Sequence, residues 1–314
     1  MNEKEFVTAF APASIGNMCV GFDMLGLAIA GIGDHVSARR TDEKGVTILE
    51  VRGPNGEIHP TLSSEPRENT ASIAAQSLWE EAGESAGVEL IVEKGMPLQS
   101  GMGSSAASAV AAVVAVNALL DKPVNDSTLL QHALVGEEFA SGGVHADNVA
   151  PSLLGGLVLC PLVILPEYVS LPVPQGVCCV IIHPDLEVNT AKSRKGLAQS
   201  YTLNQWLTQQ GYLASFVAAC GSGDLALFEK CLRDELIEPQ RAAAVPCFKA
   251  VKRSALEAKA LGCSLAGSGP SIFALCREQD ASNLASAMVE ACNHMGYQCE
   301  FWISPMDAPG AVVV

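Results

Sequence analysis

One segment of the sequence combines residue types that could bind phosphate. Residues 97–107 have the sequence Pro-Leu-Gln-Ser-Gly-Met-Gly-Ser-Ser-Ala-Ala, and an uncharged stretch rich in Ala and Val follows them. Glycine lets a backbone approach a ligand closely and adopt positive φ, and the unpaired amides and dipole of a helix that begins there attract anions. The two serines could cap that helix or give a hydroxyl to a metal ion. The pattern predicts a phosphate cradle, and a tight turn before a capped helix is the alternative.

Two other nucleotide-binding loops fit these residues less well. A Walker A loop would continue from its last glycine into Lys and then Ser or Thr, and this loop has no such lysine. A dinucleotide-binding loop, G-x-G-x-x-G, would have glycine at Ala106, although alanine is sometimes allowed there. It would also lie near the N-terminus, with an acidic residue about 20 positions further on. Asp121 lies at about that separation, but it follows the helix directly, with no second strand between them, so the pattern disfavours a Rossmann oxidoreductase.

Three blocks of the chain resemble motifs of the GHMP kinases, a family that includes galactokinase and mevalonate kinase. Residues 97–107 are similar to the family's phosphate-binding motif, P-x3-G-L-G-S-S-A-A, with Met102 in place of the usual leucine. Residues 11–23 resemble its N-terminal substrate motif, and residues 265–271 resemble its C-terminal glycine motif. The blocks occur in the order of the family over nearly the whole chain. The sequence is therefore identified as that of a member of the family.

Further stretches resemble the branch of the family that transfers the γ-phosphate of ATP to L-homoserine. They are residues 20–23, 64–69, 145–151 and 237–241. The resemblance implies O-phospho-L-homoserine as the product, in threonine biosynthesis. A mevalonate-type acceptor is one alternative, and it would not need Asp23 because it has no ammonium group. A GHMP-fold protein without catalysis is another, but such a protein should lose the phosphate loop or the metal residues, which this chain keeps.

The resemblance also implies which residues contact the nucleotide. Ser105 and Glu137 would hold a magnesium ion (Mg2+), and Asn69 would lie on the adenine side of ATP. The other implied contacts belong to the loop and the start of the next helix: Leu98, Gln99, Ser100, Gly101, Met102, Gly103, Ser104, Ser105, Ala106, Ala107 and Ser108. Two local alternatives remain, because Glu137 could be solvated near a helix end and Asn69 could simply cap a helix.

The implied acceptor is a zwitterion with a hydroxyl group on a short side chain. Its ammonium needs a carboxylate, and its carboxylate suits the forked donors of arginine. Asp23 lies in an otherwise apolar stretch, where an unpaired carboxylate would be costly. By resemblance the residues that bind this substrate are Asn17, Asp23, His145, Asn148, Arg194, Arg241 and Gly267. Taken singly, each arginine could instead be a surface charge.

The candidates for a direct part in catalysis are His145, Asn148 and Arg194. Histidine titrates near neutral pH and could act as an acid or base, but a polar loop in which Asp147 caps a turn is the alternative. Mevalonate kinase has an aspartate base in this neighbourhood, whereas resemblance to the homoserine branch implies no aspartate in a clear base position. We therefore expect His145 and Asn148 to position the substrate and leave the base open. Phosphoryl transfer through a loose transition state needs little activation of the nucleophile.

The elements that would position these residues mix strands and helices without a steady alternation. Helical patterns cover residues 69–82, 105–120 and 127–138, and the clearest strand patterns cover 88–93 and 177–183. This mixture favours an α+β fold over a doubly wound sheet. The resemblance implies the GHMP kinase fold, in which a domain like ribosomal protein S5 domain 2 precedes a ferredoxin-like domain.

Three prolines in residues 166–176 suggest the boundary between these domains. We predict an N-terminal ATP-binding domain of residues 1–166 and a C-terminal domain of residues 167–314. The site would then lie between them.

The composition limits the possible partners. The 314 residues include 19 Lys+Arg and 34 Asp+Glu, a net charge of -15, which argues against nucleic acid and anionic membranes as partners. Eleven cysteines without a C-x-x-C pattern predict buried thiols in a reducing cytoplasm. Residues 1–5 lack a basic leader, and the uncharged run 95–120 contains Gly, Pro and Ser, so it predicts a buried helix instead of a membrane span. We expect a homodimer.

Overall fold

The computed structural model describes residues 5–314. The prediction that the N-terminus lacks a basic leader concerns residues 1–5, of which residues 1–4 lie outside the described range. Strands and helices are mixed without steady alternation, which confirms the α+β class. The strands are β1 (Val7–Gly16), β2 (Leu25–Thr41), β3 (Gly45–Arg52), β4 (Gly87–Glu93), β5 (Leu157–Leu159), β6 (Val169–Leu171), β7 (Val177–Pro184), β8 (Gly262–Leu265), β9 (Ile272–Arg277), β10 (Cys299–Pro305) and β11 (Val312–Val313). The helices are α1 (Thr70–Glu81), α2 (Ser104–Asn117), α3 (Asp126–Ser141), α4 (Ala146–Leu154), α5 (Thr190–Lys195), α6 (Leu203–Ser222), α7 (Leu225–Cys231), α8 (Glu238–Arg241), α9 (Phe248–Glu257) and α10 (Ala281–His294).

The first sheet has seven strands and centres on a long antiparallel ladder between β1 and β2. Its order is β11-β1-β2-β4-β3, and β5 pairs with β2 and with β6. Helices α1, α2 and α4 pack against the sheet, and α3 packs against these helices. The turn between β1 and β2 and the loop after β4 both carry predicted site residues, so the sheet positions both parts of the site.

Helix α2 is the buried helix that the uncharged run predicted. Most of its side chains are Ala, Ser and Val, and nearly all of them are buried. Such small side chains let α1, α3 and the sheet approach the helix closely from several sides. None of the helices within residues 5–314 combines the length and the apolar character that crossing a bilayer requires.

The second sheet has the order β10-β7-β9-β8, and every neighbouring pair is antiparallel. The apolar strand β7 is buried on both faces, and successive side chains point to opposite faces. Val180 and Ile182 pack with α9 and α10, whereas Cys179 and Ile181 join the core of the first sheet. The two halves of the chain therefore share a continuous apolar core, which holds the cleft between them in a defined geometry.

The alternative of a polar loop around Asp147 is wrong, because these residues begin helix α4. Pro151 lies inside that helix and obscured it in the sequence. Proline has no N–H to donate to the carbonyl four residues earlier, which belongs to Asp147. A Cβ on Gly26 would lie 1.8 Å from that carbonyl oxygen, so the glycine gives α4 room to pack on β2.

The proline-rich segment 166–176 contains strand β6, which belongs to the first sheet, and β11 returns to that sheet from the end of the chain. The division at residue 166 stays a prediction. All eleven cysteines are free thiols, and all but Cys299 are buried, as the sequence predicted.

Candidate active site

A cleft of about 450 Å³ brings together residues from both halves of the chain. Its walls are the phosphate loop, the first residues of α2, the loop between β1 and β2, the start of α4, helix α5 and the turn after β8. The predicted site residues that line it are Asn17, Asp23, Asn69, Leu98, Gln99, Ser100, Gly101, Gly103, Ser104, Ser105, Ser108, Glu137, His145, Asn148, Arg194, Arg241 and Gly267.

Three predicted residues do not line the cleft. The side chains of Met102, Ala106 and Ala107 are fully buried in the core beneath the loop. Only their backbone could face a ligand, so their assignment to the nucleotide stays a prediction about backbone atoms. The methionine occupies a core position, which fits its place in a motif where leucine is usual.

The phosphate loop depends on its two glycines. Gly101 and Gly103 have φ of 79° and 69°, a region that favours glycine. A Cβ on Gly101 would lie 2.5 Å from the carbonyl oxygen of Ala266, and one on Gly103 would lie 2.3 Å from Ser14 Oγ. At both positions a larger residue would therefore be disfavoured twice, by the positive φ and by collision with a close neighbour.

Backbone hydrogen bonds join the three predicted motifs at this loop. The amide of Ser14, in the N-terminal motif, donates to the carbonyl of Met102 at 3.0 Å. The amide of Ser271, in the C-terminal motif, donates to the carbonyl of Ser100 at 3.1 Å. The three blocks thus form one site.

The start of α2 has no side-chain cap. Gly103 is the capping residue and offers no side-chain acceptor, so the alternative of a serine-capped helix is wrong. The first amides of a helix have no intrahelical partner, and they attract anions. Ser104 Oγ is buried and has no hydrogen-bond partner among residues 5–314. This helix end is therefore suited to bind phosphate oxygens.

Ser105 and Glu137 meet at the phosphate loop, where Ser105 Oγ donates to Glu137 Oε2 at 2.6 Å. Glu137 is buried, so the alternative of a solvated side chain at this position is wrong. Burial raises its pKa to about 7, while hydrogen bonds and the charge of Lys94 act in the opposite direction. His145 Nδ1 lies 3.7 Å from Glu137 Oε1. A carboxylate and a hydroxyl this close together are hard oxygen donors of the kind that magnesium prefers.

A buried ion pair that the sequence analysis did not identify lies directly behind the loop. Lys94 Nζ donates to Asp34, to Ser108 Oγ at 2.7 Å and to the carbonyl of Ser104 at 2.8 Å. Ser108 Oγ donates in turn to Asp34 Oδ2 at 2.6 Å. The lysine charge is therefore matched by acceptors of the protein and ties the start of α2 to strands β2 and β4. A signal for it existed, because Asp34 ends the uncharged run 24–33 and Lys94 immediately precedes the uncharged run 95–120.

The acceptor side of the cleft carries the predicted opposite charges. Arg194 Nη2 donates to both carboxylate oxygens of Asp23, at 2.6 Å each. Arg241 is buried, and its Nη1 donates to the carbonyl of Gly267 at 2.8 Å. Both guanidinium groups lie near the Phe22 ring, 5.5 Å and 5.1 Å from its centre. Neither arginine is a simple surface charge.

Several buried polar atoms of the acceptor side have no hydrogen-bond partner within residues 5–314. They are His145 Nε2, Arg194 Nε and Arg241 Nε. Buried polar groups in folded proteins are nearly always paired, so unpaired ones that share a cleft point to a polar ligand. Burial and the charges of Arg194 and Arg241 lower the pKa of His145, which favours a neutral imidazole at neutral pH.

Two predicted residues have structural contacts as well as a place in the cleft. Asn69 accepts the amide of Ala71 at 3.0 Å and so caps α1, as the local alternative proposed. Asn148 Oδ1 accepts from Ser14 Oγ at 3.2 Å.

The sequence analysis missed Asp147 as a residue of the site. Asp147 is buried, lines the cleft and accepts the backbone amide of Asn17 at 2.9 Å.

The fold and the site define a class of protein that the comparisons with known proteins also indicate. The model for the GHMP kinases N terminal domain matches residues 69–156, and that for the GHMP kinases C terminal matches residues 216–294. The chain belongs to the GHMP kinase family.

Within this family, proteins that are similar to this chain over nearly its whole length carry the name homoserine kinase. That of Xanthomonas campestris pv. campestris (strain B100) is 43% identical over 304 residues, 96% of this chain and 92% of the relative. That of Chlorobium phaeobacteroides (strain BS1) is 39% identical over 321 residues, 98% of this chain and 99% of the relative. The crystal structure of homoserine kinase from Cytophaga hutchinsonii ATCC 33406 superposes with a TM-score of 0.93 at 40% identity, covering 100% of this chain and 99% of that one.

Proposed function

We propose that the protein transfers the γ-phosphate of ATP to the side-chain hydroxyl of L-homoserine. The product would be O-phospho-L-homoserine, for threonine biosynthesis. The observation that carries the proposal is a set of opposite charges, Asp23 with Arg194 and Arg241, in the same cleft as the phosphate loop. The relatives named homoserine kinase, at 39% and 43% identity over nearly the whole chain, support the same acceptor.

The acceptor side suits an α-amino acid. Asp23 would bind the ammonium, and Arg194 and Arg241 would bind the carboxylate with their forked donors. Their unpaired Nε atoms support this role, since each is a buried donor aimed at no acceptor of the described chain. The other proposed substrate residues surround this pair: Asn17, His145, Asn148 and Gly267.

The phosphate side suits a nucleotide with magnesium. Gly101, Gly103 and the first amides of α2 would bind the phosphates, and Asn69 would lie beside the adenine. Ser105 Oγ and Glu137 would hold Mg2+, which usually takes one or two protein oxygens and completes its shell with phosphates and water. The structure supports this donor set because the two oxygens already adjoin each other at the loop. When bound, the ion neutralises charge on the transferring phosphate.

Transfer would depend mainly on alignment and charge. Arg194 carries a fixed positive charge in the cleft that the phosphate loop also lines, and Asn148 and His145 would orient the acceptor hydroxyl. The lowered pKa of His145 favours its neutral form, in which Nε2 can either donate or accept a hydrogen bond with the acceptor hydroxyl. No separate base is assigned, since in a loose transition state the hydroxyl can pass its proton late to the transferred group.

Three further features belong to this proposal. The composition, with eleven free thiols, supports a reducing cytoplasm as the location. We also expect a homodimer, which light scattering of the purified protein would test. The functional division at residue 166, with nucleotide binding in the N-terminal part, is supported by the position of the phosphate loop.

An assay of ADP release with homoserine, mevalonate and galactose as acceptors tests the function. We expect ADP release with homoserine and background with the other two acceptors. Equal background with all three would contradict a kinase of this class. Turnover of mevalonate alone would support the other acceptor class.

A further inference from the structure

The loop that presents the proposed ammonium site has an unusual backbone. Asn17, Met18 and Cys19 follow one another with φ of 71°, 40° and 63°, and Asp23 has φ of 55°. None of them is glycine, so each carries the steric cost of a left-handed conformation. A run of such residues persists only when the surrounding structure holds it.

The contacts of Asn17 show how the loop is held. Its side-chain Oδ1 accepts the amide of Asp23 at 3.1 Å, and its Nδ2 donates to the carbonyl of Gly267 at 3.1 Å. Its carbonyl accepts the amide of Gly21 at 2.8 Å. Its own amide, at the point where the left-handed run begins, donates to Asp147 Oδ2 at 2.9 Å. Asp147 thus fixes the first residue of the loop from outside the loop.

The neighbours of Asp147 make its carboxylate costly. It is 3% exposed, and its environment includes the carboxylates of Asp23 and Glu137 as well as the guanidinium of Arg194. Burial and the two carboxylates raise its pKa to about 7. The chain also adapts to it at Gly16, where a Cβ would lie 2.5 Å from Asp147 Oδ2. A carboxyl group buried beside two other carboxylates costs free energy, so we expect this side chain to have a role that offsets the cost.

We propose that Asp147 is a positioning residue, which accepts the amide of Asn17 and so holds the left-handed loop that presents Asn17 and Asp23 to the amino acid. This inference depends on the proposed function only in that the ligand is taken to be homoserine. The role requires an acceptor atom at the position of Oδ2 and no exchange of protons with the substrate. An amide oxygen can meet that requirement, whereas it cannot act as a general base.

Two substitutions separate positioning from base catalysis. Asp147→Val keeps much of the volume and removes the acceptor. We expect it to raise the KM for homoserine about tenfold, the effect of one lost hydrogen bond, and to leave kcat within about threefold. Asp147→Asn keeps an acceptor, and we expect both constants within about threefold of wild type. A loss of kcat of about a hundredfold in Asp147→Asn would instead identify a base and overturn the proposal.

Hydrogen exchange of the free protein tests the loop without a substrate. We expect amides of residues 17–23 to exchange faster in Asp147→Val than in the wild type, and at the wild-type rate in Asp147→Asn. Ser152→Ala is the matched control, because Ser152 lies buried on the same helix and bonds the carbonyl of Pro12 instead of the loop. Unchanged exchange in Asp147→Val overturns the inference.

The two proposals can fail separately. A wild type that does not phosphorylate homoserine contradicts the proposed function, and the exchange experiment still decides the role of Asp147. A wild type that does so, with an unchanged KM in Asp147→Val, contradicts the role of Asp147 alone. If Asp147→Val does not fold, the kcat of Asp147→Asn still distinguishes the two roles.

Discussion

Asp23 and Arg194 face the same part of the cleft and bind each other at 2.6 Å. An amino acid that binds both side chains would replace this ion pair with two new ones, its ammonium with Asp23 and its carboxylate with Arg194. A ligand with a carboxylate and no ammonium would break the pair and leave Asp23 without a partner. The pair therefore favours zwitterions over simple hydroxy acids, a discrimination that depends on leaving a charge unpaired.

This argument predicts an altered acceptor preference for Asp23→Asn. We expect its KM for homoserine to rise about a hundredfold, since a charge-assisted contact in a partly buried site is lost. We expect turnover of 4-hydroxybutanoate to increase, because the carboxylate of Asp23 no longer competes for Arg194. An ADP-release assay with both acceptors measures this. Asp121→Asn, on a fully exposed side chain, is the control, and unchanged homoserine turnover in Asp23→Asn would contradict the assigned acceptor.

The raised pKa of Asp147 predicts a pH dependence of stability. Its ordinary pKa of 3.8 is raised to about 7 by burial, so between these values the folded protein binds a proton that the unfolded chain has released. Stability from this group is then lost as pH rises towards 7. Urea unfolding of wild type and Asp147→Asn from pH 4 to 7 should show the variant gaining relative stability as pH rises. A constant difference would mean that the carboxyl titrates normally.

At the scale of elements, the phosphate loop is held from two sides by β1 and by the turn after β8. Both the packing around the loop and the positive φ therefore require glycine at these positions. Gly103 and Gly83 have the same kind of φ, 69° and 70°, but a Cβ on Gly83 would meet nothing within 4 Å. Comparing substitutions at Gly103 and Gly83 therefore separates the cost of placing a side chain at positive φ from the cost of a collision between the added Cβ and its neighbours.

Gly103→Ala should lower kcat/KM at least about a hundredfold, because the added methyl displaces Ser14 or the start of α2 and misplaces the phosphate site. Gly83→Ala should cost about 1 kcal/mol of stability and leave the kinetics unchanged. Steady-state kinetics with varied ATP, together with urea unfolding, measure both effects. Comparable activity in the two variants would show that the loop tolerates the collision.

The buried pair of Lys94 and Asp34 links three elements, β2, β4 and α2. Lys94→Met should destabilise the protein by about 3–5 kcal/mol, since it leaves a buried carboxylate without its partner. Adding Asp34→Asn should restore part of that loss. Glu89→Gln, which breaks a partly exposed pair with Arg39, should cost less than about 1 kcal/mol in the same urea experiment. A double variant no more stable than Lys94→Met would contradict direct coupling of the pair.

At the scale of the whole molecule, a chain of net charge -15 is proposed to bind an anionic nucleotide. Overall charge cannot attract it, so the attraction must come from the helix start, the loop amides, magnesium and the arginines of the cleft. The cleft lies between two halves that share a core, which keeps these groups aligned.

This local origin predicts that exposed lysines that do not line the cleft have little effect. Lys122→Gln and Lys230→Gln should each leave the KM for ATP within about twofold of wild type, the range of ordinary surface changes. Removal of magnesium by a chelator should abolish turnover by all three proteins. A severalfold rise in KM for either lysine variant would show that long-range charge contributes to binding.

Local sequence alone determined the phosphate loop, the helix that follows it and the buried thiols. These features depend on glycine conformations, small side chains and apolar runs, which act over a few neighbouring residues. The motif resemblance carried the rest of the predicted site, and the structure gathers almost all of those side chains in one cleft. Helix α4 was missed because Pro151 obscures it locally, and packing on Gly26 supports it.

The tertiary structure decided which charges are buried and what they bind. Asp34 and Lys94 are 60 residues apart, and Asn17 and Asp147 are 130 apart. Spacing over such distances does not show which side chains meet. Glu137 and Glu138 are neighbours in the sequence, yet only Glu137 is buried, because one side of α3 packs on α2 and the other faces solvent. Burial and pairing depend on the packing of whole elements, and that packing assigned Asp147 its place beside the loop.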